Sequence, residues 1–72
     1  MYFYQRLRDL REDNDKRQGE IAEILGISRQ HYSMYESGKR ELPMHQFIVL
    51  ARYYNVSLDY LAGLIDTPRK LY

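Results

Sequence analysis

Seventy-two residues with eleven Lys and Arg, ten Asp and Glu and a net charge of +1 describe one small domain, not a broadly basic nucleic-acid binder. A chain of this length buries only about 60–65% of its unfolded surface, and without cysteine it has neither a disulfide framework nor a thiolate metal site to reinforce it. No apolar run approaches the roughly 18 residues of a membrane span, and "MYFYQRLRDL" carries no signal-peptide pattern, so the expectation is a cytoplasmic domain with no membrane partner.

The pattern predicts five helices and no strands. Phe3, Leu7 and Leu10 line one face of a helix over about residues 3 to 14. "DNDKR" interrupts the apolar pattern. Ile21, Ala22, Ile24 and Leu25 then form a second stripe that ends at Gly26, a residue suited to a left-handed helix stop. Ile27 follows as an apolar plug, and Ser28 is a good N-cap for a third helix over roughly 29 to 36. In that helix only Tyr32 and Tyr35 are large residues facing inward, and Gly38 ends it. Met44, Phe47, Ile48 and Ala51 recur at helical spacing after "KRELP", with Leu50 and Tyr54 broadening the face. Ser57 caps a last helix containing Leu58, Leu61 and Leu64, and Pro68 ends regular structure.

Two short helices joined through Gly26 and Ile27, the second of them mostly polar, make a helix-turn-helix. Ala22 is small where the two helices would cross, Ile27 anchors the turn, and Tyr32 and Tyr35 pin the second helix down. Arg29, Gln30, Ser33 and Met34 remain for its outer face. Arg29 is informative because a cation in the first turn of a helix opposes the helix dipole by about 0.3–1 kcal/mol. A phosphate or a guanine edge would compensate it. The plainer alternative is a solvated surface residue, and for Met34 it is packing back onto the fold rather than reaching a thymine methyl.

"QGEIAEILGISRQHYSMYESGKRELP", followed by "LARYYNVSLDYL", resembles the Cro/C1-type (XRE-like) helix-turn-helix family of transcription regulators over about residues 3 to 64. The resemblance implies an all-α, five-helix, lambda-repressor-like DNA-binding domain over residues 1–66, with residues 67–72 as a tail. It implies double-stranded DNA as partner, with the third helix in the major groove of an operator bound by a homodimer. Carried over by position, Arg29, Gln30, Ser33 and Met34 would reach base edges. Gln18, Ser37, Lys39 and Arg40 would contact phosphates; Arg17, a departure from the family pattern, would add a cation beside Gln18. Arg11 and Glu36 would form a structural salt bridge between the first and third helices.

The chain departs from the family where an apolar residue followed by Thr or Ser usually precedes the second-helix Gln. Here Lys16 and Arg17 stand instead, an N-cap worth about 1 kcal/mol is lost, and Asp15 is expected to cap one turn early. The two cations would lie near the phosphate path, which leaves the orientation of Gln18 open.

Tyr60, Leu64, Ile65, Leu71 and Tyr72 exceed what so small a core absorbs, and they predict a homodimer interface built from the last helix and tail; a tail folded back over its own core, or disordered, is the alternative. His31 and His45 lie far apart in sequence without cysteine, too few ligands for a metal. No nucleophile–base motif or phosphate-binding glycine loop appears, so no enzyme, cofactor or small-molecule ligand is expected. The reading is a sequence-specific regulator, a repressor at a pseudo-palindromic operator. Its rival is an antitoxin or anti-regulator whose main partner is another protein.

Overall fold

The structure, a computed structural model, describes residues 3–69. Its elements run α1 (Phe3–Asp13), α2 (Gln18–Leu25), α3 (Arg29–Ser37), α4 (Met44–Tyr54) and α5 (Leu58–Leu61), with no strand among the described residues. All five helices stop in the same way. The chain turns left-handed at one residue, and two backbone N–H groups then reach back to carbonyls the helix would leave unpaired. At the end of α2, Gly26 takes φ +71, while Gly26 and Ile27 donate to Glu23 (3.1 Å) and Ala22 (3.0 Å). At the end of α1 the turning residue is Asp15 (φ +56), and at the end of α4 it is Asn55 (φ +53). These are the side chains that tolerate this conformation best after glycine.

The helix starts differ more. Ser28 and Ser57 accept hydrogen bonds from the backbone of His31 (3.1 Å) and Tyr60 (3.2 Å), as the sequence suggests. The expected Asp15 cap of α2 does not form, because Asp15 is used to turn the chain out of α1. Arg17 occupies the cap position with extended backbone (φ −92, ψ 156), and a guanidinium cannot accept a hydrogen bond. Glu20 reaches back instead, accepting from the Arg17 N–H at 3.0 Å. One side of the capping exchange is thus kept without the residue that usually begins it.

Leu7, Ile21, Tyr32, Leu50 and Leu61, one from each helix, are the fully buried centre of the core. Leu10, Ala22, Tyr35, Leu42, Ala51 and Val56 surround them. The face of α4 differs from the sequence expectation. Met44 is 65% exposed and Ile48 39%, whereas Gln46, Leu50 and Ala51 are buried and Phe47 and Tyr54 pack against the core. Apolar residues occur almost all round this helix, so its pattern allows more than one rotation. The row containing Phe47, Leu50, Ala51 and Tyr54 carries more bulk than the row of Met44 and Ile48, and it takes the inside. Ile24 of α2 is likewise 39% exposed rather than buried.

The last helix has only four residues, because the chain turns left-handed at Gly63 (φ +81). Leu64, expected inside that helix, lies beyond it and is 76% exposed. The following segment is tied back at two points. The Ser57 N–H donates to the Arg69 carbonyl at 2.8 Å, and Arg6 Nη2 meets Asp66 Oδ1 at 3.3 Å. Arg6 is itself buried, its guanidinium 4.0 Å above the Tyr60 ring, so one face of Tyr60 is covered within the chain. Leu71 and Tyr72 lie outside the described residues. No described helix is long and apolar enough to cross a membrane.

Candidate nucleic-acid interface

The turn between α2 and α3 fixes what α3 presents. Ala22 is almost fully buried beside Ile21, and Ile27 packs its side chain against the core, so α3 crosses close to α2. Tyr32 and Tyr35 are buried and their rings meet edge to face at 6.4 Å. With those two anchors inside, Arg29, Gln30 and Met34 are exposed and Ser33 is half-buried. They border a groove of about 380 Å³ together with Gln18, Ser37 and Lys39. Met34 is 37% exposed, so part of it packs on the fold while the rest lines this groove. Arg40 is exposed in the turn that follows. Arg17 and Lys16 border a neighbouring cleft of about 600 Å³ that also reaches Arg29.

Beneath this surface Glu36 ties three helices together. Arg11 of α1 donates to it through Nε (2.7 Å to Oε2) and Nη2 (3.1 Å to Oε1), a two-point grip, with the side chains 13% and 5% exposed. The remaining Arg11 Nη1 donates to the Lys16 carbonyl at 2.9 Å, which fixes the connection between α1 and α2. Gln18 Nε2, at the start of α2, donates to Glu36 Oε1 at 3.1 Å. The Tyr32 hydroxyl faces the same carboxylate without closing a well-formed hydrogen bond. Burial alone would push the Glu36 carboxyl up. The hydrogen bond from Arg11, aided by Tyr32 and Gln18, outweighs it and holds the group below its ordinary value. Burial also pushes the phenols of Tyr32 and Tyr54 up, so both stay neutral.

The network settles where two polar side chains point. Gln18 spends one amide N–H on Glu36, which leaves its second N–H and its carbonyl oxygen at the junction of the grooves it lines. Ser37 Oγ donates to the Met34 carbonyl at 3.2 Å, so its hydroxyl hydrogen is used within α3 and must rotate away before it can serve another acceptor. His31 Nε2 lies 3.0 Å from the Tyr35 hydroxyl, one turn along the same helix, which gives that imidazole a role in the fold. Arg29 has no ion pair among the described residues. One cation on this face escaped the sequence reading. Arg8 of α1 borders a further groove with Gln18, Ser33 and Ser37. Its signal was the spacing of three to Arg11, hidden in the alternating charges of "RLRDLRED".

Residues 7–61 match the family model described as Helix-turn-helix. The chain is 39% identical over 66 residues to the uncharacterized HTH-type transcriptional regulator YobD of Bacillus subtilis (strain 168), covering 92% of this chain and 59% of that protein. It is 31% identical over 65 residues to the cryptic phage CTXphi transcriptional repressor RstR of Vibrio cholerae, with 90% and 59% covered. The chain thus spans about three-fifths of the length of these relatives. Among solved structures, a transcriptional regulator from Listeria innocua superposes with a TM-score of 0.83 at 26% identity, over 97% of this chain and 63% of that one. The P22 c2 repressor, solved with synthetic operator 9T, shares the fold with a TM-score of 0.76 at 24% identity, over 85% of this chain and 92% of that one. By the match across most of its length and by these relatives, the chain belongs to the Cro/C1-type helix-turn-helix family.

Proposed function

We propose that this protein is a sequence-specific DNA-binding transcriptional regulator, a cytoplasmic repressor that occupies a pseudo-palindromic operator as a homodimer with α3 in the major groove. The observation that carries this reading is the outer face of α3. Arg29, a cation without an ion pair among the described residues, stands beside Gln30, Ser33 and Met34 along one groove, on a helix held from behind by two buried tyrosines. Relatives named as regulators and as a repressor support it. With a net charge of only +1, attraction to DNA must come from local clustering, and Arg17, Lys39 and Arg40 flank the α3 face.

In this reading Arg29 and Gln30 supply most of the discrimination, about 1–3 kcal/mol for each well-formed two-point contact, and Met34 offers apolar contact to a thymine methyl. Gln18, Arg17, Lys39 and Arg40 position the domain on phosphates, with Ser37 joining once its hydroxyl turns. Residues 1–66 form the DNA-binding unit. Tyr60, Leu64 and Ile65, with Leu71 and Tyr72, form the contact between copies. The half-sites would lie about one helical turn, or about 34 Å, apart.

Two substitutions test the division of labour. Arg29→Ala should relax the preference at one base position. Lys39→Ala should weaken binding to every duplex and make its salt dependence shallower by about one unit of slope. Identical behaviour of the two variants would contradict these roles.

A second reading is favoured by a different surface. Met44, Ile48, Val49 and Tyr53 expose apolar area on α4, which suits contact with another protein, as an antitoxin or anti-regulator would make. A protein partner recovered in equal amounts from the native host, together with no affinity for any duplex, would favour it.

A further inference from the structure

A groove of about 270 Å³ lies between α1 and the C-terminal half of α3, bordered by Arg8, Arg11, Gln18, Ser33, Glu36 and Ser37. It shares Gln18, Ser33 and Ser37 with the groove along Gln30 and Met34, so the two are one continuous surface. Three of its residues carry charge, and two of those charges are spent on each other. Arg11 grips Glu36 at two points and gives its remaining nitrogen to the Lys16 carbonyl.

Arg8 is different. Its only ion pair among the described residues is a single contact, Nε to Glu12 Oε2 at 3.4 Å, between side chains that are 65% and 53% exposed. An exposed one-point pair of this kind is weak and easily exchanged. Both terminal nitrogens of the guanidinium are uncommitted among the described residues, and a planar fork of donors matches two oxygens of a phosphate.

We propose that this groove is a phosphate-binding site, in which Arg8 of α1 takes a backbone phosphate of duplex DNA beside the C-terminal half of α3. The inference rests on the DNA-binding reading and extends it to a helix outside the helix-turn-helix. Lys16 and Arg17 border the cleft that reaches Arg29, at the first residue of α3. Arg8 faces the other half of the helix, so α3 is held on phosphates at both ends and cannot tilt freely in the groove. Glu12 is the competitor: it holds Arg8 in the free protein and releases it to the phosphate, being itself exposed enough to turn away.

The test is equilibrium binding of the whole chain to a random-sequence duplex of about two helical turns, between about 50 and 200 mM salt. Arg8→Gln should weaken binding about 3- to 10-fold and reduce the log–log salt slope by about 0.9, the release expected for one phosphate. Arg8→Lys should restore the slope, because a point charge still neutralises that phosphate. Arg52→Gln removes an exposed cation on α4 that borders none of the grooves described above, and it should leave the slope alone. Far-UV circular dichroism checks that each variant keeps its helices. An unchanged slope in Arg8→Gln, with wild-type binding intact, overturns the phosphate site and leaves the DNA reading standing. An equal loss in Arg52→Gln overturns it too, since net charge alone would then explain the effect. Failure of the wild-type chain to bind any duplex removes both the reading and this extension.

Discussion

Glu36 ties α1, α2 and α3 together beneath the outer face of α3. Its carboxylate is buried yet held ionised because Arg11 and Gln18 donate to it, and it sits below the ordinary value of 4.5. A group whose folded pKa is depressed adds stability that is complete above the unfolded value and is lost as pH falls through the folded one. Thermal unfolding between about pH 3 and 7 should therefore show a loss of stability in wild type that begins below about pH 4.5. Glu36→Gln should flatten that acid limb, and a parallel limb in the variant would contradict the assignment. Removing the cation is harsher, because it strands a buried carboxylate: Arg11→Ala should cost about 3–5 kcal/mol by denaturant unfolding. Glycine positions give a second contrast. A Cβ at Gly26 would meet nothing within 4 Å, whereas at Gly38 it would lie 3.0 Å from the Tyr4 ring. Both take positive φ, so Gly26→Ala should cost about 1–3 kcal/mol from backbone strain and Gly38→Ala measurably more.

Among the elements, some of this was written plainly in the sequence and some was not. Gly26, Ser28 and Gly38 bracket α3 because each has a strong local reason to be where it is, and these boundaries were legible. Asp15 was misleading, since one residue suits both a helix start and a left-handed stop, and here it takes the stop, with the Asp15 and Lys16 N–H groups donating to the Glu12 and Arg11 carbonyls. The inward Tyr32 and Tyr35 left Arg29, Gln30 and Met34 outside, so the α3 face was readable from spacing alone. Arg8 was not, because a charge-rich helix face looks alike whether or not it adjoins another element. Helix α4 shows the same limit for apolar residues, where nearly every rotation buries something. Its observed rotation is testable. Leu50→Ala should cost about 2–5 kcal/mol, whereas Ile48→Ala, at a 39% exposed site, should cost well under half as much in the same denaturant series. Equal losses would mean that α4 is turned the other way.

The whole molecule is nearly neutral, and its acidic and basic residues matter through where they lie. Cations flank the α3 face, and Asp9, Glu12, Asp13 and Asp66 gather around the buried Arg6 at another cleft. The separation is incomplete, since Glu20 and Glu23 line the cleft beside Lys16, Arg17 and Arg29, and it biases rather than fixes the orientation towards a polyanion. Leu64, next to the segment tied down through Asp66 and Arg69, is 76% exposed, and the proposed contact between copies would cover it. Sedimentation equilibrium at micromolar concentration should show a dimer that Leu64→Ser weakens; a monomer in wild type would contradict the proposed interface. The central claim is recognition of a particular DNA sequence by α3, and the most direct measurement is selection of bound duplexes from a random library at about 150 mM salt, where nonspecific binding is weak. The account predicts an enriched pseudo-palindrome with guanines at fixed positions in each half. Folded protein that enriches no sequence would contradict it.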